Sequence, residues 1–218
     1  MRLLALILSL ISCVASFAQW RVGLTVGPDF NQFTVDNQYQ YDWNYSTRIG
    51  LMAGVTAQYA FSDWLAVRAE ADYIHKNHRQ HRTSPIGANS YYYRNDYVQV
   101  PLVASFSFGG ERLRGFTNAG IYGGYWFHSS VSGSQAMSGV AYQIDQHVDF
   151  NKERDNRFCF GYVGGLGVEY RFSPKIVGQV EARCYYDVTS QVSQYQNVKD
   201  HRYNTTFGIH LTAFCIIP

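Results

Sequence analysis

The stretch from Phe158 to Asp187 constrains the fold more than any other part of the sequence. From Phe158 to Phe172 every second residue is apolar or glycine, whereas Glu169 and Arg171 lie on the opposite face. An alternation with a period of two is that of a β-strand, and this run is about twice as long as an ordinary strand. A short turn at residues 173–175 leads into a second alternating run, so the stretch is predicted to be a β-hairpin.

Charged residues lie within these two strands and not only at their ends. Glu169, Glu181 and Arg183 share the face opposite the aromatic residues. A soluble β-sandwich points its bulky side chains into a core, whereas a transmembrane barrel points apolar side chains at lipid and polar side chains into its lumen. The pattern favours the transmembrane barrel, and a soluble secreted sandwich is the alternative.

The same alternation recurs along the chain and predicts eight strands. They span residues 20–26, 48–61, 65–75, 91–108, 114–127, 158–172, 176–187 and 203–214. Gly27-Pro28-Asp29 is predicted to end the first strand. Pro101 is predicted to cause a bulge or a local break in the fourth, because proline lacks an amide hydrogen.

Short and long connections alternate between these strands. The short turns lie near Ser62, Gly109 and Ser173, and the polar segments at 76–90 and 128–156 are among the long connections. Bacterial outer-membrane barrels show this asymmetry. The sequence therefore predicts an all-β, eight-stranded antiparallel up-and-down transmembrane β-barrel with short periplasmic turns and longer extracellular loops.

Residues 1–18 have the form of a signal peptide. One positive charge precedes a short apolar run, and Ser16-Phe17-Ala18 supplies the small residues that a signal peptidase recognises before Gln19. The barrel domain is then expected to span residues 19–218, in the outer membrane of a Gram-negative bacterium. The alternative is a lipobox that ends at Cys13, which would make that cysteine a lipidated N-terminus.

Composition agrees with an exported sheet protein. Aromatic residues make up 17% of the 218-residue chain, with 18 Tyr and 19 Gly against 5 Pro, as suits a sheet better than a bundle of helices. A net charge of +2 gives no indication of a nucleic-acid partner. Cys159 and Cys184 fall on opposite faces of their strands, so these two and Cys215 are expected to be unpaired.

The inward face of the predicted barrel carries many charges. The expected polar network of the lumen consists of Arg68, Glu70, Asp72, Glu169, Arg171, Glu181 and Arg183, together with Arg21, Gln99, Gln179 and His210. Acids and bases are nearly balanced, and eight strands enclose a space that side chains just fill. A plugged, rigid barrel is therefore expected; a proton path or a gated channel is the alternative.

Residues 75–82 contain the one metal-like pattern, HxxHxxH. It consists of His75, His78 and His81, with Lys76, Arg79 and Arg82 among them. The three histidines do not share one strand face, and no spaced carboxylate or cysteine completes a metal shell. They are weak metal candidates. We expect a solvated basic loop that contacts anionic lipid headgroups, and neither a metal nor a cofactor.

Two other segments could carry binding or chemistry. Four aromatic residues alternate in the first long segment, namely Tyr39, Tyr41, Trp43 and Tyr45. They are expected to extend a strand above the membrane; a platform for sugars or proteins is the alternative. His128 is followed by Ser129 and Ser130, but adjacency in sequence is not the geometry of a catalytic triad, and we expect no enzyme.

The whole mature chain resembles the PorT-like outer-membrane β-barrel family of Bacteroidetes-type bacteria. The resemblance is carried by Phe17-Ala18-Gln19, by Tyr97-Val98-Gln99-Val100-Pro101-Leu102, by the Gly-rich fifth strand, and by Gly164-Gly165-Leu166-Gly167-Val168-Glu169 with its Ser-Pro-Lys turn. The resemblance implies an eight-stranded barrel, some relatives of which assist secretion or envelope assembly. One departure is the end Phe214-Cys215-Ile216-Ile217-Pro218, which lacks the terminal aromatic residue of many such barrels.

These observations lead to one expected function and two alternatives. We expect a non-enzymatic interaction or accessory component of the cell envelope, for example of a secretion system. Its expected partners are outer-membrane lipid, including lipopolysaccharide, and envelope or secretion proteins. The alternatives are a small-solute channel and an enzyme at the barrel rim.

Overall fold

The computed structural model describes residues 19–37, 43–84, 87–137, 140–193 and 200–217, and all of its regular structure is β. The strands are β1 (Gln19–Asn37), β2 (Asn44–Ala60), β3 (Leu65–His75), β4 (His78–Ser84), β5 (Gly87–Gly109), β6 (Leu113–Met137), β7 (Val140–His147), β8 (Phe158–Arg171), β9 (Ile176–Asp187) and β10 (Asp200–Ile217). The described ranges contain no helix long and apolar enough to cross a bilayer. The predicted leader 1–18, with Cys13, and the residues Tyr39 and Tyr41 lie outside the described residues.

The strands form one closed antiparallel ring. β1 pairs with β2 on one side and with β10 on the other, which joins the two ends of the sheet. β3 and β4 lie end to end between β2 and β5, and β7 and β8 lie end to end beside β6. The ten segments therefore occupy eight positions around the ring. The predicted eight-stranded up-and-down barrel is confirmed.

The barrel is apolar outside and charged inside. Leu24 and Leu166 are each 68% exposed on the outer face, and Phe158 is 72% exposed. Arg68 and Glu181, on the inner face, are both 0% exposed. A soluble protein buries the first kind of residue and exposes the second, so this surface is built to contact lipid.

One end of the barrel has tight turns ringed by aromatic side chains. At the turn between β2 and β3, the amides of Phe61 and Ser62 both donate to the Leu65 carbonyl. Outward-facing rings pair beside these turns, as in Trp20 with Tyr59, whose centroids lie 4.9 Å apart. We call this the short-turn end, and the opposite end, which the longer connections join, the long-connection end.

The prediction that Gly27-Pro28-Asp29 ends the first strand is wrong, because β1 continues to Asn37. The pairing with β10 stops after Val26 and resumes at Asp29, while the pairing with β2 is unbroken. Pro28 therefore lies where β1 is not paired with β10, and its missing amide hydrogen costs no hydrogen bond on that side.

The predicted polar loops at 76–90 and 128–156 are also largely wrong. β4 and the start of β5 form a hairpin in the first, and β6 and β7 form one in the second. These segments project beyond the apolar band, so their outer faces are polar and the alternation that marks a lipid-facing strand is absent. At Pro101 the pairing of β5 with β3 is interrupted, as predicted, and the bulge lies instead between Asp96 and Tyr97.

Candidate functional site

Charged side chains from opposite walls of the barrel meet at the centre of the lumen. Glu181 accepts hydrogen bonds from Arg68 Nη2 at 2.7 Å, Arg183 Nη2 at 2.7 Å and Asn118 Nδ2 at 2.8 Å. Glu70 accepts from Arg183 Nη1 at 2.6 Å, and Arg68 Nε lies 2.6 Å from its other oxygen. Two carboxylates therefore alternate with two guanidinium groups across the lumen, which balances their charges.

A second group of contacts ties this centre to the short-turn half of the barrel. Arg68 also donates to Gln179 Oε1 at 3.1 Å, and Gln179 Nε2 donates to Glu169 at 2.7 Å. Arg21 Nη1 forms an ion pair with the same Glu169 carboxylate at 3.1 Å. We call these seven side chains together with Asn118 the lumen network. It joins β1, β3, β6, β8 and β9 by direct contacts that fill the lumen.

Four of the eleven predicted lumen residues, namely Asp72, Gln99, Arg171 and His210, lie outside the lumen network, and His210 Nε2 is instead bonded to Asp29 Oδ1 at 2.9 Å. Asp72 is 1% exposed and lies opposite Gln99, which is 0% exposed. Neither the Asp72 oxygens nor the Gln99 amide atoms have a hydrogen-bond partner among the described residues. Arg171 is half-buried, and its Nε likewise has no partner in the described ranges. The other predicted charges lie within the lumen network, namely Arg21, Arg68, Glu70, Glu169, Glu181 and Arg183.

Lys76 closes the lumen on the long-connection side. It is fully buried, its Nζ donates to Asp187 Oδ1 at 2.8 Å, and it lies 4.9 Å from the Tyr97 ring and 5.1 Å from the Tyr122 ring. The Tyr122 hydroxyl donates to the same carboxylate. The expectation that Lys76 belongs to a solvated basic loop is wrong, because its charge is satisfied inside the barrel.

Beyond Lys76 the barrel widens into a cavity of about 370 Å³. We call it the end cavity. Its aromatic lining is Phe33, Tyr45, His78, Tyr93 and Trp126. Trp126 stacks on Tyr97 with centroids 5.9 Å apart, so Tyr97 lies between the end cavity and Lys76. Arg154 and Arg202, whose side chains are 51% and 40% exposed, lie where the end cavity meets solvent.

His78, one of the three weak metal candidates, lies in the wall of the end cavity. Its ring is stacked between Phe33 and Tyr93, at centroid distances of 4.0 and 4.9 Å. Burial, with a smaller effect from Arg202, lowers the pKa of His78 to about 3, so the imidazole is neutral at physiological pH. Among the residues that the structure describes, no three His, Cys, Asp or Glu side chains are arranged to hold a metal ion.

The candidate catalytic residues at the rim point to different places. The Ser129 hydroxyl is buried and donates to Asn95 Oδ1 at 2.8 Å. The His128 ring is bonded to Asp96 at 3.0 Å and to His147 at 3.1 Å. Neighbouring residues of a strand face opposite sides, so Ser129 does not approach the histidine as a nucleophile must.

The sequence did not reveal the end cavity, because most of its lining comes from segments that were predicted to be loops. Phe33 and Val35 continue the inward alternation of β1 beyond Asp29. This alternation beyond the apolar band was the signal that could have shown the strands to continue. No pattern in the sequence indicated the ion pair of Lys76 with Asp187.

Residues 17–211 match the family model described as the outer membrane protein beta-barrel domain. The chain belongs to this family. It is an outer-membrane β-barrel protein of a Gram-negative bacterium. The short-turn end is accordingly periplasmic and the long-connection end extracellular. No curated protein matches the chain significantly.

Several solved structures resemble the fold at low sequence identity. OprG from Pseudomonas aeruginosa is 12% identical, with 92% of this chain and 95% of that chain covered and a TM-score of 0.49. Neisserial surface protein A is 13% identical, with 89% and 97% covered and a TM-score of 0.43. Ail of Yersinia pestis is 14% identical, with 90% and 98% covered and a TM-score of 0.39. All three scores are below 0.5, so the fold assignment rests on the strand pairing and the family match.

Proposed function

We propose that this protein is a non-enzymatic interaction component of the cell envelope that binds a partner at its extracellular end. The observation that carries the proposal is the combination of a lumen filled by paired charges and an end cavity that opens to the outside. A barrel with this interior and a lipid-facing outer wall presents polar side chains to solvent at its two ends, and the end cavity lies at the extracellular one.

The partner belongs to the cell surface or the envelope. A PorT-like relationship, a signal peptide at residues 1–18 and a mature barrel at 19–218 fit a protein exported to serve other envelope components, including a secretion system. The outer face contacts lipid, including lipopolysaccharide in the outer leaflet. A role as an enzyme is disfavoured, because Ser129 donates to Asn95 and does not contact His128.

The second candidate function is a small-solute channel. Asp72 and Gln99 favour it, since they are buried beside the lumen network without hydrogen-bond partners among the described residues. Unpaired polar groups in a lumen are suited to hold water. The filled centre argues against a continuous path, because Arg68, Glu70, Glu181 and Arg183 join opposite walls directly.

Site-specific photocrosslinking in cells tests the proposal. A photoreactive residue at Gln146, in the wall of the end cavity, is compared with one at Lys175, in an exposed periplasmic turn. We expect a discrete partner to be captured from Gln146 and not from Lys175. Capture of a stoichiometric partner only from Lys175 would contradict the proposal and place the interaction in the periplasm.

A further inference from the structure

We propose that the end cavity is a saccharide-binding site that accepts about one or two pyranose rings of a surface glycan. The inference rests on the proposed function and names the chemistry of its ligand. Its basis is the combination of parallel aromatic rings, amide side chains and a buried unpartnered imidazole nitrogen in one recess.

The aromatic wall is a rigid stack of parallel rings, in which Phe33 and Tyr93 cover the two faces of the His78 ring. Phe33, His78 and Tyr93 are stacked with interplanar angles of 10° at both contacts. Tyr45 meets Phe33 edge-on at 5.6 Å, which turns the wall at a corner. An apolar C–H face of a pyranose ring can pack against the side of this wall that lines the end cavity, while its hydroxyl groups remain free for polar contacts.

The polar wall can both donate and accept hydrogen bonds. Gln80, Gln146 and Gln191 line the end cavity, and each amide carries both a donor and an acceptor group. His78 is 4% exposed, and its Nδ1 has no hydrogen-bond partner among the described residues. A buried polar atom without a partner is costly, so a ligand hydroxyl that reaches this nitrogen gains a hydrogen bond that the protein itself does not make.

The charges at the mouth are compensated, which favours a hydroxylated ligand over a phosphate. Arg154 forms a 2.7 Å ion pair with Asp155, and Arg202 forms one of 2.8 Å with Asp200. A phosphate site would leave cationic groups available for the anion. Here each guanidinium group is held in place by its own carboxylate, and its remaining N–H groups can donate to ligand hydroxyls.

The volume of the end cavity limits the size of its ligand. Its volume of about 370 Å³ lies at the lower end of the range typical of small-molecule sites, so it suits a short saccharide and not a folded protein element. The other large recesses lie on the lipid-facing wall, lined by residues such as Leu24, Val55 and Val168. Among these recesses, the end cavity is the one with a mainly polar lining, and it faces the cell exterior.

The test uses the full-length mature barrel in lipopolysaccharide-containing nanodiscs. Binding is followed by intrinsic tryptophan fluorescence, to which Trp126 in the cavity wall contributes, and on a glycan array, with neutral and acidic methyl glycosides as the probes. His78→Phe keeps the ring stack and removes the unpartnered nitrogen, and Gln80→Leu removes one amide at similar volume. Gln32→Leu is the matched control, because Gln32 is exposed on the outer face of β1 beside Phe33.

We expect saturable binding of at least one saccharide class, weakened about tenfold by His78→Phe and by Gln80→Leu and unchanged by Gln32→Leu. Binding of polysaccharide from the protein's own cells would identify the ligand as a native surface glycan. Binding only of unrelated glycans would identify an external ligand. Equal binding by all four proteins, or no binding by the wild type, would overturn the inference.

The same nanodisc preparations are reconstituted into planar bilayers, which separates saccharide binding from ion conduction. A barrel that is closed to ions but binds no saccharide overturns the saccharide inference alone. A barrel that conducts steadily overturns the proposed function, whatever it binds.

Discussion

Glu181 and Asp72 are both buried acidic side chains of the lumen, yet their replacement by the matching amide is expected to have different effects on stability. Glu181 accepts hydrogen bonds from Arg68, Arg183 and Asn118. Glu181→Gln leaves two buried guanidinium groups short of a counter-charge and should lower the free energy of unfolding by about 3–5 kcal/mol. Asp72→Asn removes a buried carboxylate that has no hydrogen-bond partner in the described ranges, so it should be neutral or stabilising. Urea unfolding in detergent micelles measures both, and equal losses would contradict the structure.

His78 should make the stability of the extracellular half depend on pH. Its pKa is about 3 in the folded barrel and about 6.5 when exposed, so the unfolded chain binds the extra proton between these values. Stability is therefore complete above pH 6.5 and falls as the pH drops toward 3. Between pH 7 and pH 4.5 the wild type should lose roughly 2 kcal/mol more than His78→Phe, which keeps the stack without titrating. Identical pH profiles of thermal unfolding for the two proteins would refute this.

At the scale of elements, two glycines of β8 lie opposite inward-facing aromatic residues of β6 and leave space for their rings. Gly167 pairs with Phe116, and Gly161 pairs with Tyr122. A Cβ on Gly167 would clash with the Val180 carbonyl oxygen and would lie 2.7 Å from Phe116 Cζ. Gly167→Ala should therefore cost about 1–3 kcal/mol in urea unfolding, as overpacking does. Gly123→Ala is the control, since a Cβ there meets nothing within 4 Å. If the Gly167→Ala barrel were as stable as the control, the prediction would be wrong, because β8 and its neighbouring strands could then shift enough to accept the added methyl group.

The predictability of the strands depended on what each segment contacts. β3 was predicted with its observed bounds, because lipid on one side and charges on the other impose strict alternation from Leu65 to His75. The upper parts of β1, β5 and β6 have water outside, so only their pairing partners define them. Pairing of this kind leaves little trace in a single sequence, and the strands predicted for β1 and β6 stopped where the apolar band stops.

For the molecule as a whole, the lumen could be predicted better than the end cavity. Charges inside a lipid-facing strand must point inward, so Arg68, Glu70 and Glu181 were found from the facing pattern alone. The pairing of these charges depends on the shear of the barrel and on the distances between side chains across the lumen. The facing pattern alone therefore did not show that Arg171 and Asp72 remain outside the lumen network. The end cavity combines residues from seven of the ten strands and from the connections at 148–155 and 191–192, so no single segment of the sequence indicates it.

The ion conductance of the reconstituted wild-type barrel in a planar bilayer shows whether the lumen is closed. In the lumen network, Arg68 of β3 donates to Glu181 of β9 across the lumen, and Asn118 of β6 donates to the same carboxylate. The ion pair of Lys76 with Asp187 closes the extracellular side above this network. We expect a silent membrane over the range of voltages that leaves the bilayer intact, with protein insertion verified independently. Steady single-channel steps in that preparation would instead show an open lumen and make the protein a channel, which would contradict a barrel plugged by its own paired charges.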